Sequence, residues 1–242
     1  MSVGGGRIQR IPRRLYPQIT LCAVPNASAA PLAEVQRSLS IPRFSRYLAH
    51  HSGDPDRATQ LYAWNADVSA RFMLPIHFAE VSIRNAVNEA LSEVYGDRWP
   101  WVEAFENSLP EVRGRNFKPR EELKRVRSRE ESTGKVIAEL KLIFWVRMFD
   151  SRHHHRLWQP HIAAVLPDAA ISDPASLREN VKTRLDRLRV LRNRLSHHEP
   201  IFDQDLEAYL THSLELVGYR SAAVREWVAS LESVSSALGE KP

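Results

Sequence analysis

The stretch DPASLRENVKTRLDRLRVLRNRLSHHEP, residues 173–200, decides the fold. Asp173 followed by Pro174 is a helix start, because an aspartate side chain accepts from the first free backbone N–H groups and proline in the first turn forfeits no hydrogen bond. From there Leu177, Val181, Leu185, Leu188, Leu191 and Leu195 recur at steps of three and four, which predicts one long helix with a single apolar face. Pro200 disfavours helical geometry at the residue before it, so the helix is expected to end near His198 or Glu199.

The same periodicity extends in both directions. Upstream, Leu61, Tyr62, Trp64, Val68 and Phe72 predict a helix, and Pro75 is placed in the first turn of the next one. That next helix carries Ile76, Ala79, Ile83, Ala86, Val87, Ala90, Leu91 and Val94, with Gly96 as its stop. A shorter helical piece holding Phe44, Tyr47 and Leu48 lies between Pro42 and the turn-like His51-Ser52-Gly53-Asp54-Pro55, and Trp99-Pro100-Trp101 opens a further packed piece. Residues 135–149 are apolar nearly all round, which predicts a helix in the middle of a bundle with Trp145 in the core. Two amphipathic segments follow the long helix, one through Leu206, Leu210, Leu214 and Val217, the other through Val224, Trp227, Val228 and Leu231. No stretch alternates with a period of two, so the expected class is all-α, a multi-helix bundle.

With 242 residues, 43% of them hydrophobic and 26% charged, the chain has enough apolar material for a packed core. Residues 1–35 are set apart. They carry Arg7, Arg10, Arg13 and Arg14 with no acid before Glu34, and contain Gly4-Gly5-Gly6 and several prolines. Pro12, Pro17 and Pro25 break every candidate apolar run of a signal peptide, so a flexible basic extension is expected, with residues 36–238 as one helical domain. The lone Cys22 rules out an internal disulfide, and no apolar run reaches membrane-spanning length, so a cytoplasmic protein without membrane association is expected.

The net charge of +5 sits largely in that first segment, so any polyanion contact has to come from local patches. The best is residues 113–129, where Arg113, Arg115, Lys118, Arg120, Lys124, Arg125, Arg127 and Arg129 face only Glu121 and Glu122. Such a run is either a phosphate-binding surface or a solvated face. His153-His154-His155, flanked by Arg152 and Arg156, has no carboxylate at ligand-like spacing and is read as a basic loop or helix end; no metal and no cofactor are expected.

Chemistry concentrates at the end of the long helix. Asn193 and His197 are four residues apart and share a face, with Arg192 offset beside them. A guanidinium grips two phosphate oxygens, an imidazole titrates near neutrality, and the unpaired carbonyls of a helix end favour its protonated form. Alone, Arg-Asn-x-x-x-His is a weak signal, since arginine and histidine also simply complement a helix C-terminus.

The surrounding sequence, Arg192-Asn193-Arg194-Leu195-Ser196-His197-His198-Glu199-Pro200-Ile201, resembles the signature of the Abi-like family, linked with abortive-infection defence and belonging to the HEPN superfamily of helical ribonucleases. Further blocks resemble it in the same order: Leu39–Leu48, Leu61–Asn65, Pro75–Ala86, and Gly134–Leu140 leading into Phe144-Trp145-Val146. The resemblance spans roughly residues 36–202. It implies a HEPN-like bundle that works as a homodimer on RNA, with the arginine and histidine of each protomer facing those of its partner. It further implies metal-independent cleavage leaving a 2′,3′-cyclic phosphate, with His197 as general acid or base, Arg192 stabilising the phosphorane, and Asn193 positioning them. His198 and Glu199 take supporting roles. Some HEPN toxins carry tyrosine two residues after the histidine, where a partner enzyme modifies them; Glu199 stands there in this chain, which puts that control in doubt. A cognate antitoxin is a further possible partner. Glu80 and Arg84, one turn apart, are either an ordinary ion pair or a support for Arg192 or His197. Two other readings use the same residues: a non-catalytic RNA-binding or sensing module, and an antitoxin-like scaffold.

Overall fold

A computed structural model describes residues 32–242, and the expected flexible extension, with Cys22, lies almost wholly outside the described residues. The expected boundary at residue 36 falls inside the first helix, α1, Leu32–Leu39, which leads into α2, Ile41–His50. Among the described residues every regular element is helical.

The organising element is α3, Pro55–Tyr95, 41 residues long and therefore about 60 Å. Asp54 caps it, its Oδ1 accepting from the N–H groups of Asp56 at 3.0 Å and Arg57 at 3.1 Å, and Gly96 ends it at φ 78. The helix boundary expected at Pro75 is absent, and one helix runs through it. Proline removes one backbone donor at that point, but the apolar stripe passes unbroken through Leu61, Val68, Phe72, Ile76, Ala79 and Ile83, all buried. Packing along that continuous face outweighs the lost hydrogen bond.

The middle of the chain folds in short pieces. A 3₁₀ turn, Trp99–Trp101, precedes α4, Glu103–Ser108, and α5, Pro119–Arg127. Residues expected as one central helix form two, α6 Thr133–Glu139 and α7 Leu142–Met148, because Leu140 and Lys141 are extended between them. Trp145 closes that gap: its Nε1–H donates to the Leu140 carbonyl at 3.3 Å, and its ring is fully buried as expected. The chain then passes through a 3₁₀ turn, Ser151–His153, directly into one π-helical turn, His154–Trp158, and α8, Gln159–Val165.

The long helix α9, Pro174–Ser196, starts where the sequence placed it, with Asp173 Oδ2 accepting from Ser176 N–H at 2.7 Å. Its six predicted core residues are all buried. Then come α10, Leu206–Arg220, α11, Ala222–Leu231, and α12, Val234–Gly239. Helix α3 packs against α2, α9, α10 and α12, and Trp64 Nε1–H reaches the Ala237 carbonyl at 2.6 Å, tying the C-terminal helix to it. One apolar cluster runs from Phe44 to Ala237. Helix α11 differs from expectation: only Val228 enters the core, while Val224, Trp227 and Leu231 are 37%, 54% and 44% exposed. It follows α10 through a tight link at Ser221 and is held chiefly by that helix, so its second apolar side faces outward, with Trp227 edge-on to Phe78 at 5.3 Å. No helix of the described residues is long and apolar enough to cross a membrane.

Candidate functional site

Helix α9 ends in a left-handed reversal. His197 is the last half-helical residue, and His198 takes φ 53. Glu199 N–H donates to the Arg194 carbonyl at 2.8 Å and His198 N–H to the Leu195 carbonyl at 3.1 Å. These are the two bonds of a Schellman motif, in which glycine usually occupies the left-handed position; histidine is among the few other residue types that adopt it with some frequency. His198 is thus shown as the backbone pivot of the site.

Three elements hold this pivot. Arg43, on α2, donates to the His198 carbonyl at 2.9 Å, and Arg46, one turn on, pairs with Asp203 at 2.8 Å. Asn65, on α3 and 6% exposed, turns its Oδ1 to two backbone donors, Ile201 N–H at 2.8 Å and Phe202 N–H at 3.1 Å. Arg194 donates to the Pro200 carbonyl at 3.0 Å. The segment leaving α9 therefore has its buried polar groups satisfied from α2 and α3, elements more than 130 residues earlier in the chain.

Arg192, Asn193, His197 and Glu199 are all exposed around this fixed turn. Arg192 leans toward α3, its Nε 3.7 Å from Glu80 Oε1. Glu80 also accepts from Arg84 at 3.0 Å, so one carboxylate, 13% exposed, faces two guanidinium groups. Glu80 and Arg84 form the i,i+4 pair, and the same carboxylate lies within ion-pair distance of Arg192. Arg84 is largely buried, and burial lowers its basicity, with Glu80 opposing that effect and Arg192 adding to it.

Asn193 and His197 lie on the same face of α9, whereas Arg192 and His197, five residues apart, leave the helix about 140° apart. Among the described residues no hydrogen bond joins the three side chains. The turn is open to solvent, but one protomer does not bring the guanidinium and the imidazole onto a common point by itself. The chain matches no protein-family model, no curated protein and no solved structure.

The basic run is placed differently from the helix end. Lys118 pairs with Glu121, Arg120 with Glu111, Arg125 with Glu122, and both Lys124 and Arg127 with Glu106. Glu106 and Glu111 lie outside the run in sequence, so counting charge within residues 113–129 overstates its free positive potential. Arg113 and Arg115 are exposed on the loop before α5 and form no ion pair among the described residues. Lys118, Arg120 and Lys124 line a surface recess with Glu111 and Glu121 in it.

Sequence reasoning gave no role to Arg43, Arg46, Asn65 or Asp203. Asn65 had a usable signal: an amide beside Trp64 in a stripe otherwise made of core residues is a polar group that needs buried partners.

Proposed function

We propose that the chain is a metal-independent endoribonuclease of the abortive-infection type, acting as a homodimer through the exposed end of α9. The observation that carries this reading is the solvent-open, braced turn around which Arg192, Asn193 and His197 are each exposed, with Arg192 backed by a nearly buried carboxylate. In the proposed reaction an imidazole takes the proton of a ribose 2′-hydroxyl, and the oxygen attacks the adjacent phosphorus. The bond from phosphorus to the 5′ oxygen breaks, and that oxygen takes up a proton. The products are a 2′,3′-cyclic phosphate and a 5′-hydroxyl. Arg192 stabilises the extra negative charge of the phosphorane, and Glu80 keeps the guanidinium from swinging away. Because Arg192 and His197 of one chain diverge, a second copy supplies the facing pair. Val190, 40% exposed and two turns before His197 on the same face, gives that contact apolar area.

The same divergence is what favours the second reading, a module that binds RNA through Arg192 without cutting it. One experiment separates them. Purified protein is incubated with RNA in EDTA and the ends are analysed for cyclic phosphate. Cleavage that disappears in His197→Ala supports the nuclease; salt-sensitive binding without new ends supports the binder. Growth arrest on expression, relieved by His197→Ala, tests the defence role.

A further inference from the structure

The two arginines that flank the histidine run, Arg152 and Arg156, both line a recess in the chain's middle segment. It is a cavity of about 690 Å³ between the end of α3, α4 and the 3₁₀–π junction. No carboxylate belongs to its lining. Neither arginine forms an ion pair among the described residues; the only polar side chain that Arg156 reaches is the Tyr95 hydroxyl, at 3.5 Å. This contrasts with the basic run, where Lys118, Arg120, Lys124, Arg125 and Arg127 each pair with a carboxylate. His155, on the same rim, has its Nδ1 2.9 Å from Gln159 Oε1, which leaves Nε2 for another partner.

The local backbone explains the grouping. A π-helical turn is wider than an α-helical one, and such turns occur in short pieces, frequently at functional sites. Here it follows a 3₁₀ turn without a break, so tight and wide turns succeed one another and carry Arg152, His155 and Arg156 to one mouth. Leu91, Phe105 and Leu157 lie beneath the recess and are each almost fully buried, so its accessible lining is largely polar. Asn107 and Ser108 contribute polar groups at the side.

We propose that this recess binds a phosphomonoester, with the dianionic phosphate at Arg152, Arg156 and His155 and a compact carrier in the remaining volume. Two guanidinium groups without counter-charges match a terminal phosphate better than a singly charged diester, because each can donate in parallel to two of its oxygens. The volume lies within the 300–1,000 Å³ typical of small-ligand sites, and a cavity of that kind accepts the whole molecule rather than a stretch of polymer.

The test uses phenyl phosphate as probe, titrated calorimetrically against the full chain. One saturable site per chain is expected, competed by inorganic phosphate, which binds more weakly because it lacks the carrier. Methyl phenyl phosphate, the monoanionic diester, should bind at least about tenfold more weakly, and Arg152→Gln and Arg156→Gln should each cost a similar factor. Ala104→Trp fills the recess from α4 without changing charge, and abolishes phenyl phosphate binding if the cavity is the site. All three positions are exposed, so thermal melts of the variants should match the parent. Absence of saturable binding overturns the proposal. So does binding that Ala104→Trp leaves intact, or a diester that binds as well as the monoester. His197→Ala must retain the site, so this result and the nuclease test succeed or fail separately.

Discussion

Asn65→Ala tests how the end of α9 is held. The side chain is nearly buried and its single oxygen satisfies two backbone donors, Ile201 N–H and Phe202 N–H, at 2.8 and 3.1 Å. Alanine leaves both donors without that acceptor, and a buried unpaired donor costs roughly 1–3 kcal/mol. Two of them, reduced for local relaxation and water entry, give a loss of about 2–4 kcal/mol. For a chain of this size that corresponds to a fall in Tm of about 4–16 °C. Urea unfolding followed by circular dichroism measures the loss, and amide hydrogen exchange at residues 201 and 202 locates it. Asn65→Asp, which keeps an acceptor oxygen at that position but buries a charge, should recover the local exchange protection better than Asn65→Leu. A loss under about 0.5 kcal/mol with protection unchanged would refute the reasoning, since it would mean the amide oxygen is not what holds the turn.

His198 sits at φ 53, so His198→Gly should be neutral or stabilising by up to about 1 kcal/mol, while His198→Val destabilises; if RNA cleavage is observed, it should survive the glycine and not His197→Ala. Glu80→Gln removes the carboxylate facing Arg84 and Arg192 and should cost about 1–3 kcal/mol in urea unfolding, with Glu80→Gln/Arg84→Met recovering part of it because no buried guanidinium is then left unpaired. His153 is buried and its pKa is lowered to about 4, first by burial and then by Arg152. The unfolded chain therefore takes up this proton first as pH falls, so stability present above about pH 6.5 is lost toward pH 4, by about 2–4 kcal/mol. Proton-linked unfolding curves should lose that component in His153→Gln.

The helical periodicities were legible because each rests on a local rule: the Asp173-Pro174 start, the leucine steps of α9, and the stop before Pro200. What escaped the sequence were choices that depend on distant surfaces. Pro75 has the local chemistry of a helix start, yet the continuous stripe from Leu61 to Ile83 finds α9 and α10 to pack against and carries the helix through. Trp227 has the spacing of a core residue, but α11 has only one strong neighbour, so half of its apolar surface stays outside. For the candidate site, spacing alone was a weak guide: Arg192, Asn193 and His197 were singled out by the family resemblance of the surrounding sequence, and Glu80 by its place one turn from Arg84. The residues that fix the turn were not, because a carbonyl acceptor such as that of His198 leaves no trace in the side-chain pattern.

That division has a physical cause which bears on both charged regions of the chain. A cation's availability depends on which carboxylates the fold brings within a few ångströms, and sequence proximity is a poor guide to it. Glu106 and Glu111 neutralise Lys124, Arg127 and Arg120 from another segment, so the strongest run in the sequence is weak as a field. Arg152 and Arg156 come from a stretch with less net charge, yet their recess holds no acid, so the attraction for an anion there is undiminished. Arg192 is intermediate: Glu80 lies 3.7 Å away but is already engaged by Arg84 at 3.0 Å, which leaves Arg192 oriented without being neutralised. A guanidinium held in that way is suited to a developing negative charge, since it is already in place when the charge forms and its counter-ion does not have to leave.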